Sequence, residues 1–181
     1  MEKRFIEATL FAIKKHQFQK RKGTQLPYIV HPVGVANTLA QAGVTDIDIL
    51  IAAVLHDTVE DTNTTFDEIE KLFGENVVKY VREATDDKSK SKVERKKLQV
   101  EHSKTISVGG KLIKYADKIC NMRDICEDNP CVFKPLLNAK GYMTWGVEVC
   151  KAFRGINEKL DKMFDEILTM NLHTEEGEVP C

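Results

Sequence analysis

The segment "DIDILIAAVLHDTVED", residues 46–61, decides the fold of this chain. From Ile47 to Leu55 it is apolar nearly all round a helix, which is typical of a central helix covered by others. Thr45 is placed to cap this helix at its start. The apolar run then changes abruptly to His56 and Asp57, and two more carboxylates follow within four residues. We therefore expect a buried helix that ends in one imidazole and three carboxylates.

Helical patterns continue on both sides of this segment. Apolar residues at i, i+3 and i+4 predict a first helix over residues 2–19, and Pro32 suits the first turn of a second helix, which stops at Gly43. The stretch "TFDE" at 65–68 fits a capping box, and Gly74 separates the two shorter helices that follow. Further helices are expected from Leu112 to Arg123 and over residues 136–153 and 155–170, after a break that contains proline.

The composition is that of an ordinary globular protein. Of 181 residues, 42% are hydrophobic and 30% charged, and the formal net charge of −1 gives no general attraction to nucleic acid or to an anionic membrane. The five cysteines, including Cys131 and Cys181, form no CxxC pair, which favours free thiols in a reducing compartment. No apolar run is long enough to cross a bilayer. We predict a cytoplasmic, all-α single domain over residues 1–181, with a folded core at 2–170 and a frayed tail at 171–181.

A basic segment interrupts the helical pattern. Residues 86–104, "DDKSKSKVERKKLQVEHSK", contain seven Lys or Arg and few apolar residues. The segment is either a solvated loop with a short helix or a mobile flap. A nucleic-acid-binding role is disfavoured, because acids are interspersed among the lysines and the net charge is close to zero.

The side chains that end the central helix are good metal ligands. On a continuous helix His56 shares a face with Glu60, and Asp57 with Asp61. An imidazole and a carboxylate suit a divalent transition metal, which needs further ligands from elsewhere in the chain.

Two such ligands are available in the sequence. His31 lies beside Pro32 at the start of the second helix, and Asp117 lies in the helix "KLIKYADKICNMRD". In the alternative interpretation these charges are solvated, and Asp117 pairs with Lys114 or Lys118 at the surface.

Four stretches, in order, carry a resemblance to a known family: "RKGTQLPYIVHP", "AAVLHDTVEDT", "TDDK" and "KLIKYADKICNMRD". Together they resemble the hydrolase domain of the RelA/SpoT proteins, within the HD superfamily of metal-dependent phosphohydrolases. The resemblance runs from about residue 5 to 160 and is greatest to the small, hydrolase-only SpoT homologues of animals. It implies an HD-type bundle of about eight or more helices, without a synthetase or regulatory domain.

The resemblance also implies a site. One Mn²⁺ per chain would be held by His31, His56, Asp57 and Asp117, and catalysis would fall to Glu60 and Asp61, with Asn121 near the substrate. The family reaction removes pyrophosphate from the 3′ position of guanosine tetra- or pentaphosphate. Ligand chemistry alone would not select Mn²⁺, the weakest binder of its series.

A bis-phosphorylated nucleotide needs compensating cations. The candidate substrate-binding residues are Arg21, Lys22, Asn121, Lys92, Lys97 and Tyr142, with Arg95, Lys96 and Lys140 as further cations near them. Solvated charge is an equally good interpretation for each of the cations, as is a core aromatic for Tyr142, and Trp145 is assigned to the core.

Two other functions compete with this one. The pocket could accept the 2′-phosphate of NADPH, since HD domains cleave many phosphate esters. The chain could also be a helical nucleotide-binding module that has lost catalysis, but the presence of every expected ligand and of the acidic pair argues against that. The expected partner is a small nucleotide, with no nucleic acid and no membrane, and the sequence carries no signal for an oligomeric state.

Overall fold

The computed structural model describes residues 2–22, 24–127, 136–174 and 177–180. The expected proline-containing break around 128–135, together with Cys131 and Cys181, lies outside the described residues.

Within that part of the chain the fold is a bundle of ten α-helices, which confirms the all-α prediction. The helices are α1 Glu2–Lys15, α2 Val30–Gln41, α3 Ile47–Leu55, α4 Thr58–Asp61, α5 Phe66–Phe73, α6 Glu75–Ala84, α7 Lys92–His102, α8 Val108–Glu127, α9 Leu136–Cys150 and α10 Glu158–Leu168. A short 3-10 turn, Lys151–Phe153, follows α9. None of the described helices is both long enough and apolar enough to span a bilayer.

The chain after α10 differs from the expected frayed tail. Strand β1, Asn171–Thr174, pairs antiparallel with β2, Gly177–Pro180, so that Asn171 lies opposite Pro180. Strands of four residues are too short to show a recognisable alternating pattern in the sequence. Strand β1 packs against helix α8, and the short hairpin leaves the fold class unchanged.

Helix α3 lies at the centre of the bundle, as its apolar sequence predicts. Six of its nine residues are buried, and it packs against α1, α2, α6 and α8. Its N-cap is Asp46 rather than the expected Thr45, because the Asp46 carboxylate accepts the backbone N–H groups of Asp48 at 2.9 Å and Ile49 at 3.4 Å. A carboxylate at this position also interacts favourably with the positive end of the helix dipole.

Three mutually packed helices place the residues that matter for function. Helices α2, α3 and α8 contact one another in every pairing. His31 lies in the first turn of α2, His56 directly follows α3, and Asp117 lies in the middle of α8. Because the apolar faces of these helices share one core, the three polar residues are brought to the same end of α3.

Local signals predicted most of the helix boundaries. Thr65 caps α5 by accepting the Glu68 N–H at 3.1 Å, and Gly43 and Gly74 both have positive φ angles, of 84° and 95°. Helix α1 is shorter than expected and ends at Lys15. The basic segment contains a solvated helix, α7, which has a complete capping box between Ser91 and Glu94 and no buried residue.

Candidate active site

Three ligand-type side chains from α2, α8 and the end of α3 converge in the interior. The candidate ligand atoms of His31, His56 and Asp117 all lie within 4.8 Å of one another. The Nε2 atom of His31 is 3.0 Å from Oδ1 of Asp117, and the Nε2 atom of His56 is 3.8 Å from the same oxygen. Both histidines are only 4% exposed, so the cluster lies in the interior. The alternative interpretation placed these charges at the surface; its pairing of Asp117 with Lys118 is present, but Lys118 is buried.

Asp57 joins the cluster because the helix is interrupted there. Helix α3 ends at Leu55 and α4 begins at Thr58, so the expected continuous helix through residues 56–61 is not formed. The backbone angles of Asp57, φ −94° and ψ −6°, depart from the helical values, and the Thr58 hydroxyl donates to the Leu55 carbonyl at 2.7 Å. As a result the side chains of His56 and Asp57 point to one place, with Nε2 and Oδ2 3.0 Å apart.

Hydrogen bonds hold the cluster in position. The Tyr28 hydroxyl donates to Oδ2 of Asp57 at 2.7 Å, and the Asn121 amide donates to Oδ1 of Asp117 at 2.6 Å. The Lys118 ammonium donates to the other oxygen of Asp117 at 2.8 Å. Such partners fix the orientation of metal ligands, and Asn121 lies one turn after Asp117 as its spacing in the sequence predicts.

The His56 ring is oriented by its backbone contact. Its Nδ1 atom lies 2.8 Å from the Ala53 carbonyl and therefore carries a proton, so that Nε2 is the nitrogen that faces the cluster. That Nε2 atom is buried without a hydrogen-bond partner, as is Nδ1 of His31. An unpaired nitrogen beside two carboxylates is a suitable ligand for a cation.

The electrostatics of the cluster favour positive charge at its centre. Burial by itself lowers the pKa of His56, but the carboxylates of Asp57 and Asp117 outweigh burial and raise that pKa well above its usual value. Burial by itself raises the pKa of both carboxyl groups, yet His56 lowers that of Asp57, and Lys118 with the two histidines lowers that of Asp117. His31 has a lowered pKa because it is buried, so it is neutral as a metal ligand requires.

This donor set fits a divalent cation. Metal–ligand bonds of about 2.1 Å place neighbouring ligand atoms about 3.0–3.4 Å apart. The four side chains show separations of 3.0 to 3.9 Å between the Nε2 atoms of the histidines and the nearest carboxylate oxygens. Two imidazoles and two carboxylates suit a first-row transition metal, which would take the place of the proton on Nε2 of His56.

The acidic pair lies beside the cluster, held by the basic segment. Glu60 accepts the Asp86 N–H at 3.0 Å, and its other oxygen is 3.5 Å from Nη1 of Arg95. Asp61 forms an ion pair with Lys88. Burial, together with the neighbouring carboxylates, raises the pKa of Glu60 despite the hydrogen bond from Asp86. The two carboxylates therefore differ in environment although they are adjacent in sequence.

A cavity of about 410 Å³ opens over both groups and has a cationic wall. Its cationic lining residues are Arg21, Lys22, Lys92, Arg95, Lys96, Lys114 and Lys118. Its carboxylates are Asp57, Glu60, Asp61, Asp86 and Asp117. The seven cations exceed the five carboxylates, two of which are already committed to the metal-type cluster. The space therefore suits a polyanionic ligand that reaches from the cluster to helix α7.

Most of the predicted substrate-binding residues line this cavity. Arg21, Lys22, Lys92, Asn121 and Tyr142 are all part of its wall. The Arg21 guanidinium also has an internal role, since it donates to Asp124 at 2.7 and 3.0 Å and to the Asn121 side-chain oxygen at 2.5 Å. Arg21 thus links the loop before α2 to α8.

Lys97 is not part of the cavity wall, in contrast to its predicted role. The residues of α7 that line the cavity are Lys92, Arg95, Lys96 and Gln99, and their spacing defines one helix face. Lys97 follows Lys96 by about 100° of helical rotation and is exposed. Lys140 is likewise exposed and lies outside this wall.

Sequence reasoning missed two buried lysines and misplaced one aromatic residue. Lys114 and Lys118 are 5% and 4% exposed and line the cavity from α8. The signal for them was present, because a lysine pair four apart in an apolar helix places two charges on one inward face. Trp145, expected in the core, lines the cavity and is only partly buried.

The comparisons with known proteins agree with this geometry. A helical bundle that gathers histidines and aspartates at its centre defines an HD-type protein, a class of metal-binding helical domains. A model of the HD domain matches residues 8–136, and the chain belongs to this family.

The most similar relatives include two vertebrate proteins. The guanosine-3′,5′-bis(diphosphate) 3′-pyrophosphohydrolase MESH1 of Xenopus tropicalis is 48% identical over 165 residues, which cover 88% of this chain and 92% of the relative. The human protein of the same name is 47% identical, with 87% and 88% covered. A solved structure described as "a metazoan ortholog of SpoT" that "hydrolyzes ppGpp" superposes with a TM-score of 0.87 at 42% identity, covering 91% of this chain and 93% of that one.

Proposed function

We propose that this chain is a Mn²⁺-dependent guanosine-3′,5′-bis(diphosphate) 3′-pyrophosphohydrolase, which releases pyrophosphate and leaves GDP or GTP. The observation that carries the proposal is a single cavity with a His/Asp cluster on one side and lysines and arginines on the other. The names of the Xenopus tropicalis and human relatives support the same reaction, since the similarity extends over nearly the whole of both chains.

The metal would be held by His31, His56, Asp57 and Asp117. When bound, such an ion lowers the pKa of a water molecule and polarises the phosphoryl group that is attacked. The donor set fits several first-row metals, and the choice of Mn²⁺ is supported by the resemblance to the RelA/SpoT hydrolase domain. Tyr28, Asn121 and Lys118 would keep the carboxylate ligands oriented, through the hydrogen bonds already described.

Glu60 and Asp61 would divide the catalytic roles between them. Glu60 is suited to accept a proton, because burial raises its pKa and so brings it closer to neutrality. Asp61 is 29% exposed in its side chain and is paired with Lys88. We assign Glu60 to accepting the proton of the attacking water and Asp61 to orienting that water or the leaving oxygen.

The cationic wall would bind the two phosphate chains of the nucleotide. Lys114 and Lys118 approach from α8, next to the metal cluster, and the face of α7 approaches from the other side. Charge-assisted hydrogen bonds of this kind are stronger than hydrogen bonds between neutral groups. Tyr142, partly buried in the same wall, is placed to contact the base or ribose.

A metal-titrated hydrolysis assay tests the function. The purified chain is incubated with guanosine tetraphosphate, and separately with NADPH, over a range of Mn²⁺ concentrations. We expect GDP and pyrophosphate to appear only when the metal is present. Release of phosphate from NADPH with no turnover of guanosine tetraphosphate would replace the proposed substrate with the alternative one, and no turnover of either substrate with any divalent ion would contradict the proposal.

Neighbouring lysines on α7 should differ in their effect on substrate binding. Lys92→Gln is expected to raise KM about 5- to 50-fold, because it removes a charge-assisted contact to phosphate in the cavity wall. Lys97→Gln makes the same change on the exposed face and should raise KM much less. Initial-rate kinetics on both variants provide the measurement, and an equal effect of the two would contradict the orientation of α7.

A further inference from the structure

Trp145 lies in the cavity wall beside cations from two different helices. Its ring packs edge-on against Tyr142 within α9, with the ring centroids 5.2 Å apart. The ammonium nitrogens of Lys96, on α7, and of Lys118, on α8, each lie 4.7 Å from the centroid of the indole. One aromatic ring therefore contacts two cavity-lining ammonium groups, at a distance where the ring quadrupole attracts a cation.

The two ammonium groups differ in their other partners. Lys118 donates to Asp117 at 2.8 Å and so already has a counter-ion. Among the described residues, no carboxylate lies within 4.0 Å of the Lys96 ammonium. Burial and the nearby charges of Lys92 and Lys118 lower the pKa of Lys96. The Lys96 ammonium therefore lies near the cations Lys92 and Lys118 and is stabilised by the indole ring, and no carboxylate of the described residues pairs with it.

Trp145 also holds the backbone of the same residue. Its indole N–H donates to the Lys96 carbonyl at 3.1 Å. Helix α7 has no buried residue of its own, and its cavity side is held by Arg95 against Glu60 and by Gln99 against Asp86. The contact between α7 and α9 adds to these and helps to keep Lys96 on the cavity side. Loss of the indole would weaken both the position of Lys96 and the placement of its helix.

We propose that Trp145 is a positioning residue, which presents the ammonium groups of Lys96 and Lys118 to a diphosphate group of the substrate and releases Lys96 when that group binds. The inference rests on the proposed function, because it names the part of the nucleotide that this wall recognises. Trp145 acts through the lysines and takes no part in proton transfer.

The fluorescence of Trp145 reports directly on this contact, because the chain contains a single tryptophan. Inorganic pyrophosphate is titrated into the full-length, metal-loaded protein after removal of excess metal. We expect a saturable change in the emission of the wild-type chain, since a charge near the ring face perturbs the indole. The change should be lost in Lys96→Gln and retained in Lys104→Gln, which alters an exposed lysine outside the cavity wall. A response no larger than that to chloride of equal ionic strength, or an equal response in Lys96→Gln, would overturn the proposal.

Steady-state kinetics separate positioning from a general structural role. Trp145→Leu is expected to raise KM for guanosine tetraphosphate about 3- to 30-fold with kcat within about twofold. Trp145→Phe keeps an aromatic face but loses the N–H group, so its KM should lie between those of the wild-type chain and Trp145→Leu. A fall in kcat without a change in KM would contradict the proposal, and the titration of Lys96→Gln decides the matter if the leucine variant does not fold.

These two measurements can fail independently of the proposed function. If the protein hydrolyses guanosine tetraphosphate but its fluorescence does not change with pyrophosphate, the proposed role of Trp145 is wrong and the proposed activity is retained. If the fluorescence responds as described but no hydrolysis occurs, the anion site stands and the proposed reaction is wrong.

Discussion

Glu60→Gln is expected to lower kcat for pyrophosphate release by about 10²- to 10⁴-fold, the usual contribution of general acid–base catalysis. The change removes the carboxylate proposed to accept a proton, while a glutamine oxygen can still accept the Asp86 N–H that now holds Glu60 at 3.0 Å. The metal-type cluster is built from other residues, so the metal content per chain should be unchanged. Elemental analysis and initial-rate kinetics on the same sample provide the measurement.

Glu70→Gln is the matched control for this variant, since it makes the same chemical change at an exposed position on α5. It should retain wild-type turnover. Asp61→Asn is expected to lose most of its turnover as well, with its metal retained. Full activity in both Glu60→Gln and Asp61→Asn would remove the catalytic assignment of the pair.

The pH profile distinguishes the two carboxylates. A general base must be ionised, so activity falls as the pH drops through its pKa. Because burial raises the pKa of Glu60 above its ordinary value, the acidic limb of kcat should lie higher than for an exposed carboxylate. Replacement of Asp61 should preserve that limb in the residual activity, and Glu60→Gln should abolish it. The opposite pattern would exchange the two roles.

Asp57→Asn is expected to weaken metal affinity by at least about 100-fold, a larger loss than replacement of an orienting partner usually causes. The substitution is nearly isosteric, and an amide oxygen can still accept the Tyr28 hydroxyl. It removes one of the negative charges proposed to hold a cation beside His56, whose Nε2 atom is 3.0 Å away. Turnover at limiting metal should fall in parallel with affinity.

Thermal melting tests this prediction without an activity assay. A ligand that binds only the folded state raises the melting temperature in proportion to the logarithm of its concentration over Kd. Added Mn²⁺ should therefore stabilise the wild-type chain and the control Asp67→Asn, an exposed aspartate on α5, but not Asp57→Asn. Equal stabilisation of all three proteins would mean that Asp57 is not a ligand.

Local signals predicted much of the fold. The segment from Thr65 to Gly74 has a cap, an amphipathic run and a terminating glycine within ten residues, and α5 forms as expected. Such features depend on neighbours in sequence, so they can be recognised without knowledge of the tertiary structure. The central position of α3 could also be predicted, because a helix that is apolar on all sides must be covered on all sides.

Prediction failed where distant contacts override local preference. The sequence from Ile47 to Asp61 predicts one helix, yet the helix breaks at His56 and Asp57, where His56 turns toward Asp117 of α8 and Asp57 toward His31 of α2. Lysine was expected at the surface, but Lys114 donates to the Ala84 carbonyl at 2.9 Å and is buried. In both places a contact with another helix decides the outcome.

The sequence by itself determined the helical class, the central helix and the residues that resemble those of the RelA/SpoT hydrolase domain. Apolar periodicity and short motifs depend only on the order of residues, so they can be recognised without knowing how the helices pack. Only the tertiary structure decided that His31, His56, Asp57 and Asp117 lie in one cluster and that Lys96, rather than Lys97, faces the cavity. The rotation of each helix is set by its contacts with helices distant in sequence, and a rotation of about 100° moves a side chain from the cavity to the solvent.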